Sequence, residues 1–342
     1  MSRRIGKRTV ALGNCPGVTA WASVAGKKEG SGPYGKKFDL VLGEDDALDQ
    51  SFEAAERSML ETAVKLCAQH DNCRLDDIQM LLAGDLLNQI ISAGFAARNL
   101  QIPFYGLYGA CSTMSESLSI GSMVADGGYA DRLICATCSH FCTAERQYRT
   151  PLELGTQRTP TAQWTVTGAG AVMICQGTAA ARARVVIPYT TCGRVIDMQI
   201  KDANNMGAAM APAAADTIEA HLRDLSRTCE DYDLIVTGDL GKLGRELLIE
   251  LLGEKRIKVD ERRMFDCGSE IFGENQDTHC GGSGCGCAAS MLCAHILPEI
   301  ADGRLKQVLF MATGALLSPT TTMQGESIPG IAHAVVLSHR EV

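Results

Sequence analysis

Short apolar runs and helical apolar patterns alternate along this 342-residue chain. Residues 78–83 form a continuous apolar run that ends in Gly84-Asp85, which is typical of a buried parallel strand followed by a turn. The apolar residues of 51–70 recur at the spacing of an amphipathic helix. We expect the glycine-rich stretch 16–37 to form an entry loop and an arm. The same criteria predict the other elements: helices 88–99, 111–126, 243–252 and 286–301, and strands 103–107, 132–138, 167–176, 233–238, 263–267, 307–313 and 331–338.

Three parts of this pattern occur twice, in the same order. Residues 109–137 match residues 285–313 at a constant offset. One shorter match lies upstream of this pair and another lies downstream. Repetition at this scale indicates two copies of one structural unit. The matched positions are Cys111 with Cys287, Asp126 with Asp302, Ala136 with Ala312, Asp85 with Asp239, and Gly168 with Gly330.

The duplication predicts an α/β fold made of two similar halves, 1–178 and 179–342. Strands that alternate with helices favour a parallel-type sheet with right-handed crossovers. Two facing copies would bury helices between two sheets. Helix 111–126 carries few charges along most of its length, as a helix covered on all sides should.

Charge and hydropathy exclude some functions. The formal net charge is −8, so no face has enough positive charge to neutralise many phosphates, and we expect no nucleic-acid partner. The apolar run 308–317 is too short to span a bilayer, so any membrane association should be peripheral. A basic cluster at Arg3, Arg4, Lys7 and Arg8 could rest on anionic lipid or form a solvated tail. The fifteen cysteines should be free thiols in a reducing compartment.

Cys111 is the leading candidate for chemistry. It follows a strand and Gly109-Ala110, and it opens a predicted helix. A helix N-terminus lowers a thiol pKa and attracts anions, which suits a nucleophile or a ligand contact. The alternative is a structural buried cysteine.

Other candidate site residues end predicted strands or lie in loops beside them. His140 follows strand 132–138, and we place His333 in the turn before the last strand; either could donate to a carboxylate or pair with Cys111. Asp85 lines the pocket or caps the next helix. Arg146, in a predicted charged loop 145–149, either binds a planar carboxylate or forms a surface ion pair. The spacing of His279, Cys280, Cys285 and Cys287 does not fit a structural zinc site, so we expect no metal and no cofactor.

The motif Gly109-Ala110-Cys111-Ser112-Thr113 within this duplication resembles the thiolase superfamily. Within it, the chain resembles most closely the family of stage V sporulation protein AD. That resemblance covers nearly the whole chain and implies a five-layer αβαβα thiolase-like fold. The motifs that carry it are residues 83–89, 109–113, 143–147, 210–218, 281–285 and 312–320.

The family resemblance also implies a function and partners. It implies binding of dipicolinic acid, free or as its calcium chelate, during uptake into the forespore and release in germination. It implies a protein made in the cytoplasm of a sporulating cell and held peripherally at the spore inner membrane, with other proteins of the stage V sporulation A operon as partners. The superfamily further implies a homodimer formed through sheet edges.

Two departures from thiolases bear on catalysis. Ser283 stands where the resemblance places the histidine of a Gly-His-Pro motif, and a hydroxyl cannot replace imidazole as a base near neutral pH. The second thiolase cysteine is missing, since that turn reads Gly330-Ile331-Ala332-His333. Two hypotheses stay open: a ligand-binding protein whose site includes Cys111, His140, Asp85, Arg146, Ser283 and His333, or an acyltransferase with Cys111 as nucleophile.

Overall fold

The computed structural model describes residues 3–43, 51–148 and 158–342. In these ranges the strands are β1 Arg4–Ile5, β2 Thr9–Ala11, β3 Gly17–Ala25, β4 Leu40–Val41, β5 Met80–Gly84, β6 Phe104–Gly106, β7 Arg132–Ser139, β8 Trp164–Thr165, β9 Gly168–Cys175, β10 Val185–Thr191, β11 Leu234–Thr237, β12 Met264–Asp266, β13 Gly282–Ser283, β14 Gln307–Ala315 and β15 Gly330–His339. The longer helices are α1 Phe52–His70, α2 Ile91–Leu100, α3 Thr113–Asp126, α4 Phe141–Tyr148, α5 Met206–Leu225, α6 Gly241–Glu254 and α7, which joins Cys285–Met291, the π-helical Leu292–Ile296 and Leu297–Ala301. Short helical turns cover Lys27–Gly30, Gly35–Lys37, Leu75–Asp77, Asn88–Ile90, Gly177–Arg182, Cys229–Asp231, Glu261–Arg263, Cys267–Glu270, Glu274–Gln276 and Pro319–Met323.

The main sheet repeats one five-strand order. The first half contributes β3-β9-β7-β5-β6, and the second half contributes β10-β15-β14-β11-β12. The two sets join through a short antiparallel pairing in which Val185 and Val186 face Val18 and Gly17. β8 and β13 form a separate two-stranded sheet.

Helices pack on the outer face of each five-strand set and fill the space between the two sets. α1 packs on β3, β7 and β9, whereas α5 packs on β14 and β15 and against α6. α3 lies between the halves, in contact with β5 and β7 on one side and β14 and β15 on the other. α7 packs beside α3 against β7 and β9. The structure therefore confirms the five-layer αβαβα fold.

The sheet is mixed rather than uniformly parallel, which corrects the sequence expectation. In each half the three outer strands run parallel, but the pairings of β9 with β7 and of β15 with β14 are antiparallel. The stretch 16–37 is also not an arm, because β3 occupies the middle of the sheet. Its small side chains (Ala20, Ala22, Ser23) give little hydropathy contrast, although they are buried.

The second half contains two elements that the pattern did not predict. α5 is buried around much of its circumference and carries Pro212 within it, and a proline interrupts the pattern expected of a continuous helix. β10 begins after the turn Gly177–Arg182 and pairs with both β15 and β3. The boundary between halves at 178/179 stays a prediction, because the sheet passes without interruption from one half to the other.

The basic N-terminal cluster is folded and partly paired, not a solvated tail. β1 and β2 form a hairpin, and β2 pairs with β10. The Arg3 guanidinium pairs with the buried carboxylate of Asp126. Arg8 donates to the side chain and the carbonyl of Asp216 at 2.6 and 2.8 Å. No helix within the described ranges is long and apolar enough to cross a membrane.

Candidate functional site

Cys111 lies at a tight turn that brings the two halves together. Ala110, just before it, has φ +50°, a left-handed conformation that costs free energy for a residue with a Cβ. Ser112 then leads into α3, and its hydroxyl donates to the Gly109 carbonyl at 2.7 Å. Gly314 faces this turn so closely that a Cβ there would lie 2.4 Å from the Gly109 oxygen. The turn therefore leaves Cys111 6% exposed, at the start of α3.

The immediate partner of Cys111 is a carboxyl group. The Asp239 side chain, which follows β11 and is fully buried, lies close to the Cys111 thiol and affects its pKa. Thr313 donates its hydroxyl to the same carboxyl at 2.8 Å, and the Gly284 N–H donates to it at 2.8 Å. Burial raises the pKa of Asp239 to about 7, against the lowering effect of these hydrogen bonds.

This environment reverses the expected effect of the helix N-terminus on the thiol. Burial raises the pKa of Cys111 well above its usual value, and the nearby Asp239 carboxyl and Cys285 raise it further. The Gly284 backbone N–H lowers it, but to a smaller extent. Near neutral pH, Cys111 is therefore a neutral thiol.

A cavity of about 540 Å³, its open mouth included, lies in front of Cys111. Its walls are mostly apolar, and hydroxyl groups come from Ser283, Thr165 and Tyr148. Among the described residues that line it, Glu145 is the ionisable carboxylate and none is Lys, Arg or His. The lining residues are Leu86, Ala110, Cys111, Ala144, Glu145, Tyr148, Thr165, Ala203, Met206, Ser283, Ala315 and Leu317.

Two of the predicted site residues line this cavity together. Cys111 comes from the first half, and Ser283 comes from the second half, in β13 beside Thr165 of β8. Gly284 follows at φ +104°, a conformation that only glycine adopts without strain. A Cβ there would lie 2.7 Å from the Ser139 hydroxyl, so the backbone turns sharply enough to direct its N–H to Asp239.

The two predicted histidines lie outside the cavity lining. His140 is fully buried at the end of β7, where its Nδ1 accepts the Cys142 N–H at 3.1 Å. His333 lies within β15, opposite Ala312, rather than in the preceding turn. Its Nδ1 accepts the Gly193 N–H at 3.2 Å, and burial lowers its pKa to about 4, so its imidazole is neutral.

Asp85 and Arg146 are held by neighbours beside the cavity. Asp85 accepts the N–H groups of Leu87 and Ala93, both at 2.7 Å, so it caps the approach to α2. Arg146 lies on α4 rather than in a loop; it is half exposed and pairs with Glu53. Arg149, at the end of that predicted loop, lies outside the described residues. Ligand contacts of these two residues and of both histidines stay predictions.

Asp239 and Tyr148 are the residues that sequence reasoning undervalued. Asp239 was noted only as the repeat match of Asp85, although its place after a buried strand also pointed to it. No local pattern marks Tyr148 as a cavity residue, because its position depends on α4.

The cysteines near residue 285 have separate partners. The Cys285 thiol donates to the Cys138 carbonyl at 3.0 Å, and that of Cys287 to the Gly238 carbonyl at 3.5 Å. The His279 Nδ1 donates a hydrogen bond to the Thr159 carbonyl oxygen at 2.7 Å. Across the described residues, no group of three or more His, Cys, Asp or Glu side chains is arranged to hold a metal ion.

Two duplicated halves with a cysteine at the start of the central helix define a protein of the thiolase fold, and solved structures agree. Human mitochondrial 3-ketoacyl-CoA thiolase superposes with a TM-score of 0.61 at 13% identity, covering 97% of this chain and 99% of that one. For 3-oxoacyl-[acyl-carrier-protein] synthase III of Aquifex aeolicus the TM-score is 0.58 at 14% identity, with 95% and 100% covered. Cerulenin-bound OleA of Xanthomonas campestris gives 0.62 at 12% identity, with 98% of each chain covered.

Sequence comparison identifies the group within this fold. The sequence model of the stage V sporulation protein AD family matches residues 6–338. Stage V sporulation protein AD of Bacillus subtilis (strain 168) is 46% identical over 331 residues, which cover 97% of this chain and 96% of that relative. The chain belongs to the stage V sporulation protein AD family.

Proposed function

We propose that this sporulation-family protein binds dipicolinic acid in the Cys111 cavity and does not catalyse condensation. The observation that carries the non-catalytic part is the fully buried Asp239 carboxyl, which adds to burial in raising the pKa of the Cys111 thiol. A thiolate formed there would face a carboxyl group, and no described lining residue brings an imidazole. Both features oppose thiolate formation, which nucleophilic attack on a thioester requires.

The cavity offers complementary surfaces for a small planar ligand. Leu86, Leu317 and Met206 provide apolar contacts for a ring, and the Ser283 and Thr165 hydroxyls can donate to carboxylates. Glu145 and Asp239 would repel a dianion. Protonation of Asp239, or a calcium ion carried by the ligand, would reduce that repulsion.

Calorimetric titration with dipicolinate, with and without calcium, tests this proposal. Cys111→Trp should abolish the binding heat by filling the cavity, whereas Cys111→Ala should largely preserve it because a non-covalent site does not need the thiol. Benzene-1,3-dicarboxylate, with similar carboxylate spacing but no ring nitrogen, serves as the ligand control. Equal titration curves for the parent and Cys111→Trp would show that the ligand binds elsewhere or not at all, and the calcium arm shows which form binds.

The second candidate is acyl transfer from a thioester, and the placement of Cys111 at a cavity-facing helix start favours it. In that reaction the thiol proton would move to Asp239, sulfur would attack the acyl carbon, and the thiol of the donor would leave. Incubation with acetyl-coenzyme A and mass spectrometry of the Cys111 peptide tests it. A thioester adduct that disappears in Cys111→Ala would replace the binding proposal.

We further propose a homodimer held peripherally at the spore inner membrane with other stage V sporulation A proteins. β6 is the outer strand of the first-half sheet, and its Tyr105 is 62% exposed. An unpaired outer strand can pair with that of a second copy. Flotation with membranes, followed by release in high salt without detergent, would support peripheral attachment.

A further inference from the structure

We propose that Tyr148 and the loop of residues 86–90 form a gate over the Cys111 cavity, held closed at the Leu86 carbonyl. Tyr148 is one of the partly exposed lining residues, together with Ala203, Met206 and Leu317, and these four residues mark the mouth. Cys111 lies deeper, at 6% exposure. The inference rests on the proposed function only in assuming that a small ligand enters here.

The closing contacts join two separate segments of chain. The Tyr148 hydroxyl donates to the Leu86 carbonyl at 2.5 Å, and the Gln147 amide donates to the same oxygen at 3.0 Å. In return, the Asn88 N–H donates to the Gln147 side-chain oxygen at 2.9 Å. Because Leu86 and Tyr148 both line the cavity, breaking these three hydrogen bonds would separate two walls of the same opening.

The loop is strained in the closed position. Gln89 and Ile90 both have positive φ, +57° and +48°. This conformation is unfavourable for a residue other than glycine, and it is rarer still for a β-branched side chain such as Ile90. The strain persists because Asp85 holds the N–H groups of Leu87 and Ala93 on either side of it.

A buried carboxyl anchors each wall. Asp85 fixes the loop, whereas Glu56, fully buried on α1, accepts the Thr143 hydroxyl of α4 at 2.6 Å. Burial raises the pKa of both groups, and they interact electrostatically. The Cys138 thiol donates to the Glu56 carboxyl at 3.8 Å. Cys285 interacts electrostatically with both Asp85 and Glu56. Asp85 holds the loop on both sides of residues 88–90, and Glu56 holds the first turn of α4, so residues 88–90 and the end of α4 are the parts that move when the contacts between the walls break.

Thiol labelling measures opening without any ligand. The protein is treated with methyl methanethiosulfonate, and mass spectrometry follows modification of the Cys111 peptide. The exposed Cys192 gives the reference rate in the same molecule. Losing one closing hydrogen bond should cost about 1 kcal/mol, or roughly a fivefold rise in the open population. We therefore expect Tyr148→Phe, which loses one closing hydrogen bond, to label Cys111 about three- to tenfold faster. Gln147→Ala loses two closing hydrogen bonds and should label it at least as fast, with Cys192 unchanged in both variants.

A matched pair tests the strain. Gln89 and Gln101 are both exposed and have φ of +57° and +56°, but Gln101 ends α2 away from the cavity. Gln89→Gly should relieve strain in the closed state and slow Cys111 labelling about two- to fivefold. Gln101→Gly should leave it unchanged, as should Tyr129→Phe at an exposed tyrosine.

Unchanged Cys111 labelling in both Tyr148→Phe and Gln147→Ala would overturn the gate, as would equal changes in the two control variants. Rate ratios that vary with pH would also overturn it, since they would indicate an altered thiol pKa rather than access. If labelling behaves as expected but the calorimetric titration shows no dipicolinate binding, the gate stands and the ligand assignment fails.

Discussion

Asp85 and Asp239 stand at equivalent positions in the two halves, yet they hold different parts of the molecule. Asp85 accepts two backbone N–H groups and shapes the cavity wall. Asp239 accepts hydrogen bonds from the Thr313 hydroxyl and the Gly284 N–H, and it lies close to the Cys111 thiol. Duplication supplied a carboxyl after each buried strand, and the partners of the two carboxyls differ: Asp85 holds backbone before α2, whereas Asp239 holds groups beside Cys111.

The protonation of Asp239 should control the binding of an anion. Its pKa is about 7, so it loses its charge as the pH falls from 8 to 6. The affinity for dipicolinate without calcium should rise roughly tenfold over this range, because one unit of charge repulsion is removed. Asp239→Asn should bind tightly at both pH values. Titrations at pH 6 and pH 8 measure this, and a pH dependence that persists in Asp239→Asn would assign it to another group.

Glu56 should make the fold less stable at alkaline pH. Burial raises its pKa in the folded state, so the folded protein retains a proton that the unfolded chain releases. The stabilisation is complete below the pKa of the unfolded chain and is lost as the pH rises through the folded pKa. Glu56→Gln should therefore flatten the loss of unfolding free energy between pH 5 and pH 8. Urea denaturation at the two pH values measures the slope, and an unchanged slope would contradict this role.

Gly284 and Gly94 should respond to alanine with opposite signs. Gly284→Ala places a Cβ 2.7 Å from the Ser139 hydroxyl at a φ of +104°, so we expect a loss of about 2–4 kcal/mol. Gly94 lies within α2 with nothing within 4 Å of an added Cβ. Gly94→Ala should stabilise by up to about 1 kcal/mol. Thermal unfolding of both variants tests this, and similar midpoints would refute it.

The outer strand β6 should carry the dimer contact. Light scattering at micromolar concentration should give twice the chain mass of 36.5 kDa. Tyr105→Asp should shift the protein to the monomer, because it places a charge on the exposed side chain of that strand. Tyr129→Asp, at an 81% exposed tyrosine away from β6, should leave the mass unchanged. A parent protein that is already monomeric would contradict the proposed homodimer.

The sequence was informative where a pattern is local or repeated. The match between Cys111 and Cys287 predicted the duplication, and the apolar run before Asp85 predicted the strand β5. Both predictions follow from residue spacing alone. β3, at the centre of the sheet, and helix α5 were missed because both contain many small residues, whose burial comes from close packing rather than hydropathy contrast. Such elements become recognisable only when the chain that covers them is in place.

The candidate site, too, could be predicted from the sequence only where its features are local. The Cys111 turn was visible because Gly109 and Ala110 precede it, whereas the thiol pKa was predicted in the wrong direction. A helix N-terminus is a local feature, but Asp239 reaches the thiol from the other half of the molecule. Burial and a long-range carboxyl outweigh the helix dipole, and neither can be inferred from the residues around Cys111.

The N-terminal hairpin has a consequence for the order of folding during synthesis. β2 pairs with β10, the Thr9 hydroxyl contacts that of Thr191 at 3.0 Å, and the Arg8 N–H donates to Asp224 at 3.0 Å. Residues 8 and 9 therefore find these partners only after residues 191 and 224 have been synthesised. Before β10 is made, the β3 pairing with β10 is also missing, so one edge of β3 stays unpaired. Slow stretches of translation before residue 224 would prolong that exposure and favour aggregation, whereas a pause beyond it would let the hairpin close.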